Sequence, residues 1–134
     1  MTLADLNGHL DMVTQLHAAR ETLQSMQDRI LGAQQYDGMP HGHDASRKVE
    51  NLSITLKMLS DDVDRLERIV ARSEKGIRKW IIAVPDARAR TALNLRYLCG
   101  MKWDDVADYI GVERSSDAIR MLCYRYMSKT NSKE

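Results

Sequence analysis

The sequence predicts an all-α protein in which a long N-terminal helical hairpin or coiled coil precedes a small C-terminal helix-turn-helix domain. Three observations lead there. Apolar residues recur at steps of three and four through two long segments, the period of a helix face and not the alternation of a strand. Aromatic residues make up only 5% of the chain and Phe is absent, while 43% is apolar, a composition suited to helices packed through Leu, Ile, Val, Met and Ala. The prolines and most glycines fall between the periodic segments, where helices end. At 134 residues the chain has the length of one domain, or of one small domain with an extension.

The first stripe, Leu3, Leu6, Leu10, Val13, Leu16, Ala19, Leu23, Met26 and Ile30, defines a helix from Leu3 to Leu31. The three-residue step from Val13 to Leu16 breaks a strict heptad. A loop over about residues 33–45 follows, because "GAQQYDGMPHGHDAS" carries three glycines and a proline. The second stripe, Val49, Leu52, Leu56, Leu59, Val63, Leu66, Val70, Ser73, Ile77, Trp80 and Val84, alternates threes and fours without a slip. It predicts a helix from Ser46, as N-cap, to Ala83, about 57 Å long at 1.5 Å per residue. Pro85 ends it by turning Val84 away from helical geometry. Gly76 is its weak point. Such a seam is buried either by the first helix folding back or by a second copy of the chain; a lone hairpin leaves much of a wide stripe wet, so residues 1–84 are expected to associate chains, as a dimer.

After Pro85 the periods shorten. "DARARTALNLRYLCG" reads as a helix closed by Gly100, "WDDVADYIG" as a two-turn helix closed by Gly111, and "SDAIRMLCYRYMSK" as a helix capped by Ser115 or Ser116. Residues 85–134 therefore form the second predicted domain. Trp103, Val106, Ala107 and Ile110 share one face of the middle helix, and Ile119, Leu122, Cys123 and Tyr126 share one face of the last. Packing these faces across a Gly111 turn gives the helix-turn-helix shape, with Ala107 small enough to let the helices approach. The outer face of the last helix is then Asp117, Ala118, Arg120, Met121, Tyr124 and Arg125.

The charge distribution gives that face a meaning the total does not. Lys plus Arg number 20 and Asp plus Glu 19, for a net +1. From Arg114 to Lys133, however, Arg114, Arg120, Arg125, Lys129 and Lys133 are opposed only by Asp117, whereas Asp104 to Glu113 holds acidic charges alone. A basic helix presented this way fits the major groove of duplex DNA, where Arg holds guanine through two hydrogen bonds. Arg114, Ser115, Ser116, Arg120, Met121, Tyr124 and Arg125 are the candidates for reading bases or approaching them, with Lys102, Lys129 and Lys133 as phosphate contacts.

The stretch "DARARTALNLRYLCGMKWDDVADYIGV" is similar to region four of bacterial sigma factors. Together with a long helical N-terminal part and the weaker match "GMPHG", Gly38 to Gly42, it resembles the sigma-region-four-like regulators of phages and prophages. The resemblance is strong over about residues 85–127. It implies a transcriptional regulator whose helix around 116–128 lies in the major groove of double-stranded DNA, with RNA polymerase as a second partner. Two departures stand out: the turn "VERSSDA" is longer than the family's, and Asp117 brings a carboxylate to the start of the reading helix.

Other chemistry finds little support. His41, His43, Asp37 and Asp44 sit in the loop without the paired Cys or His ligands of a structural zinc site, so no metal or cofactor is expected. No Ser, His and acid arrangement and no phosphate-cradling glycine loop suggests an enzyme. Cys99 and Cys123 lie in apolar-periodic segments and read as reduced core residues. No signal peptide or membrane-length apolar run is present, which predicts a cytoplasmic protein. Two rivals remain: a DNA-packaging protein like a phage small terminase subunit, and an adaptor that binds RNA polymerase or a sigma factor through its acidic helix without touching DNA.

Overall fold

The computed structural model describes residues 1–36, 42–111 and 115–128, those at 33–36 and 42–45 by their backbone alone. The chain is all-α: α1 is Leu3–Tyr36, α2 Gly42–Ala83, α3 Ala87–Leu93, α4 Trp103–Ile110 and α5 Ser116–Tyr124. No strand occurs among the described residues; one isolated bridge joins Thr2 to Ser128. Nor is any described helix long and apolar enough to cross a membrane.

Thr2 starts α1 with a reciprocal cap. Its hydroxyl accepts from the Asp5 N–H at 3.1 Å while its own N–H donates to the Asp5 carboxylate at 2.9 Å, an arrangement that satisfies two otherwise orphaned donors. The backbone hydrogen bond from Thr2 holds the Asp5 carboxyl below its ordinary range. The expected end at Leu31 is wrong: α1 continues to Tyr36. A glycine in mid-helix costs only about 1 kcal/mol, so Gly32 does not stop a helix that Ala33, Gln34 and Gln35 favour. Residues 33–36 and 42–45, expected in the loop, are helical, because α1 runs to Tyr36 and α2 already begins at Gly42; residues 37–41 lie outside the described residues. Ser46 is therefore an interior residue and not the N-cap. The end at Ala83 falls where Pro85 requires it.

The chain divides into two compact units, Val13–Ile69 and Met1–Met12 with Val70–Glu134. In the first, α2 runs beside α1. Leu16, Val63 and Leu66 are buried and Arg20 pairs with Glu67 at 2.6 Å, so the regular seam is covered over this stretch by the chain's own first helix. An exposed pair of this kind contributes little to stability; the apolar stripe carries the hairpin. Toward the start of α2 the seam opens: Leu52, Leu56 and Leu59 are half-buried and Val49 is 63% exposed.

In the second unit Leu6, Ile77, Ile81 and Val84 from the two long helices share one core with Ala89, Ala92, Leu93, Tyr97, Val106, Ala107, Ile119 and Cys123. Ile81, not the expected Trp80, occupies the deepest place at this end of α2; Trp80 is half-buried. Ser73, the one polar member of the seam, bonds the Nδ1 of buried His9 at 2.9 Å. Burial lowers the His9 pKa, with Glu74 opposing the shift, so a neutral imidazole is favoured there.

Candidate nucleic-acid interface

The short helices are built to hold α5. Asp86 caps α3, its carboxylate accepting from the Arg88 N–H at 3.0 Å, and Arg90 donates to the Val84 carbonyl at 2.7 Å, tying α3 to the end of α2. After Leu93 the helix widens by one residue per turn over Asn94–Leu98, where the Cys99 N–H bonds the Asn94 carbonyl at 3.0 Å. Nothing in the sequence reading anticipated this π turn. Gly100 then takes a positive φ of 75°, open to glycine at little cost, and closes the helix as expected.

Arg96 fastens the connection to α4. Its Nη1 donates to the Met101 carbonyl at 2.9 Å, and its guanidinium lies 5.4 Å from the Trp103 ring centroid and 5.8 Å from that of Tyr97. Tyr97 meets Trp103 edge-on at 6.1 Å, and Trp103 meets Tyr124 of α5 edge-on at 6.4 Å. Aromatic rings from α3's extension, α4 and α5 are thus locked together by quadrupole-favoured contacts. Burial pushes the Tyr97 phenol above its ordinary range. Arg96 was missed by the sequence reading. Its only signal was a position four residues before a helix-ending glycine, where a loop carbonyl needs a donor.

Val106 and Ala107 of α4 and Ile119 and Cys123 of α5 are buried, as the shared faces require. The α4 helix stops at Ile110, and Gly111 is extended, with its N–H bonding the Ala107 carbonyl at 3.1 Å. Ser115 is the cap of α5: its hydroxyl accepts from the Ala118 N–H at 3.2 Å.

The expected site residues do not all face outward. Lys102, Ser115, Met121 and Arg125 are exposed, Met121 at 59%. Ser116, Arg120 and Tyr124 are half-buried and flank the outer face, which consists of Asp117, Ala118, Met121 and Arg125. Arg120 is turned back onto Asp117 at 2.8 Å. Arg114, Lys129 and Lys133 lie outside the described residues, as do Asp37 and His41 of the metal reading and the side chains of His43 and Asp44. The helix expected over 116–128 ends sooner, at Tyr124. The next N–H groups tighten to three-residue bonds, Tyr126 to Cys123 and Met127 to Tyr124, and the Ser128 N–H turns to the Met1 carbonyl at 2.8 Å. Cys99 is a further correction: it is exposed, because the widened turn and Gly100 leave it at the helix end, whereas Cys123 is fully buried.

On α4, Asp104, Asp105 and Asp108 are exposed, and none pairs with a cation among the described residues. Asp105 and Asp108 line a shallow depression of about 310 Å³ with Met101 and Tyr109, the last 72% exposed. No group of metal-ligating side chains occurs among the described residues. No family model matches this chain, and no curated protein or solved structure matches it.

Proposed function

We infer that the protein is a sequence-specific DNA-binding transcriptional regulator of the phage or prophage kind, working in the cytoplasm, with α5 as the helix that enters the major groove. One observation carries this: α5 is held from behind through Ile119 and Cys123, capped by Ser115, and left bare along Asp117, Ala118, Met121 and Arg125. A nine-residue helix presented on one face by two others has the dimensions the groove admits. The likeness of residues 85–127 to sigma region four supports the same reading.

In this role Arg125 and Lys102 supply salt-dependent attraction to phosphates, with Arg114 and Lys129 from the flanking segments. Arg120 supplies guanine recognition, Met121 packs on a thymine methyl, and Tyr124, Ser115 and Ser116 donate to phosphate or base. Two copies of the chain would place two such helices on paired half-sites. Ile54 and Met58, 53% and 62% exposed and one turn apart on the same face of α2, are the surface on which such a dimer would form.

Selection from a random duplex pool, followed by fluorescence anisotropy at several salt concentrations, tests the proposal. A recovered motif bound with a steep inverse dependence on salt is expected, and Arg125→Ala should weaken binding to all sequences alike. A pool from which nothing is enriched, with no duplex bound at low salt, defeats it. Solution mass separates the packaging rival, which requires a ring of many copies. The adaptor rival draws on the Asp105, Asp108 and Tyr109 surface of α4; capture of RNA polymerase that survives Arg120→Ala with Arg125→Ala, alongside no duplex binding, would favour it.

A further inference from the structure

Asp117 is the residue that fits a DNA-facing helix worst, since a carboxylate at its start repels phosphate. Its geometry answers that objection. Asp117 Oδ1 accepts from Arg120 Nη2 at 2.8 Å, one turn along α5, with the two side chains 77% and 41% exposed. The Arg120 Nε is buried with no hydrogen-bond partner among the described residues, so the side chain is packed against the protein as far as the guanidinium and only its terminal nitrogens emerge. An exposed ion pair at this spacing adds little to helix stability, so stability alone is a weak reason for it.

We propose that Asp117 is a positioning residue, holding the Arg120 guanidinium so that its remaining terminal N–H groups meet one guanine and make that base pair the discriminating position of the site. The inference rests on the reading of α5 as the groove-bound helix. Arginine's planar fork places two parallel donors, and fixing it beforehand removes the ordering cost that a free side chain meets on binding. The carboxylate has a second effect. While Asp117 neutralises Arg120, the guanidinium is a poor phosphate ligand, so it is reserved for a base edge that offers two acceptors. Asp117 thereby converts a general cation into a selective donor.

The test uses the full chain and the motif selected from random duplexes. Arg120→Ala first identifies the guanine whose preference is lost. Asp117→Ala and the near-isosteric Asp117→Asn are then measured against duplexes carrying each base pair at that position, over a range of salt. Ser115 caps α5 independently of Asp117, and thermal melting verifies that both variants fold. The expected result is a preference for guanine at that position reduced roughly tenfold, with other positions unaffected. A steeper salt dependence should accompany it, because the released Arg120 takes a phosphate. A merely structural pair would move neither quantity selectively. Unchanged preference at the Arg120 position in both variants overturns the role of Asp117 while leaving DNA binding standing; failure of the unaltered chain to bind any duplex overturns both.

Discussion

Cutting the chain where its sequence suggests a boundary, to leave residues 85–134, should destroy the helix-turn-helix. The fragment lacks Leu6, Ile77, Ile81 and Val84, which are between 0% and 4% exposed and belong to the same core as Val106 and Ile119. Burying one such aliphatic side chain is worth about 1.5–3 kcal/mol, so the four together contribute roughly 6–12 kcal/mol. Net stabilities of whole domains are only about 5–15 kcal/mol, which leaves the fragment little or nothing. It also loses the Ser128 bond to Met1 that ties down the end of α5. Circular dichroism with thermal melting reads the outcome: the whole chain should show a cooperative transition and the fragment a weak, sloping loss of helix. In the intact chain, Leu6→Ala should cost about 2–5 kcal/mol, since removing a fully buried side chain also leaves a cavity. That lowers the midpoint by about 10 °C. A fragment of residues 85–134 that melts cooperatively at the whole chain's midpoint would refute the reasoning.

Further outcomes follow from single positions. Gly76 is exposed within α2 and an added Cβ would meet nothing within 4 Å, so Gly76→Ala should raise the urea midpoint by an amount equivalent to about 0.5–1 kcal/mol. Gly100→Ala should do the opposite by about 1 kcal/mol, because its φ of 75° is strained for any residue with a Cβ. Burial pushes the Cys123 thiol up to about 12, so a thiol reagent should label exposed Cys99 alone in the folded chain and both cysteines in denaturant. The lowered pKa of His9 means that the unfolded chain takes up its proton first. Stability from His9 is therefore complete above the ordinary histidine range and lost as pH falls through the lowered value; His9→Gln, able to keep a bond to Ser73, should flatten denaturation midpoints measured from about pH 7 to about pH 5.

Periodicity predicted the helical class, the two long helices and the buried Val106, Ala107, Ile119 and Cys123, while Pro85, Gly100, Gly111 and a capping serine marked where α2 and the short helices stop or start. These are local properties: a helix face, a proline or a capping serine acts through neighbours within one or two turns. Contacts between residues far apart in sequence leave no such periodic trace. Leu6 could not be assigned to the core of α5, nor His9 to Ser73, because each stripe shows only that a face is buried and not what buries it. Likewise the outer face of α5 could be placed by spacing, but the turning of Arg120 onto Asp117 and the edge-on lock of Tyr124 against Trp103 depend on side-chain rotamers chosen by packing. The amino-acid order determined which surfaces must meet something; the tertiary structure decided what each of them meets, because burial is settled by three-dimensional neighbours.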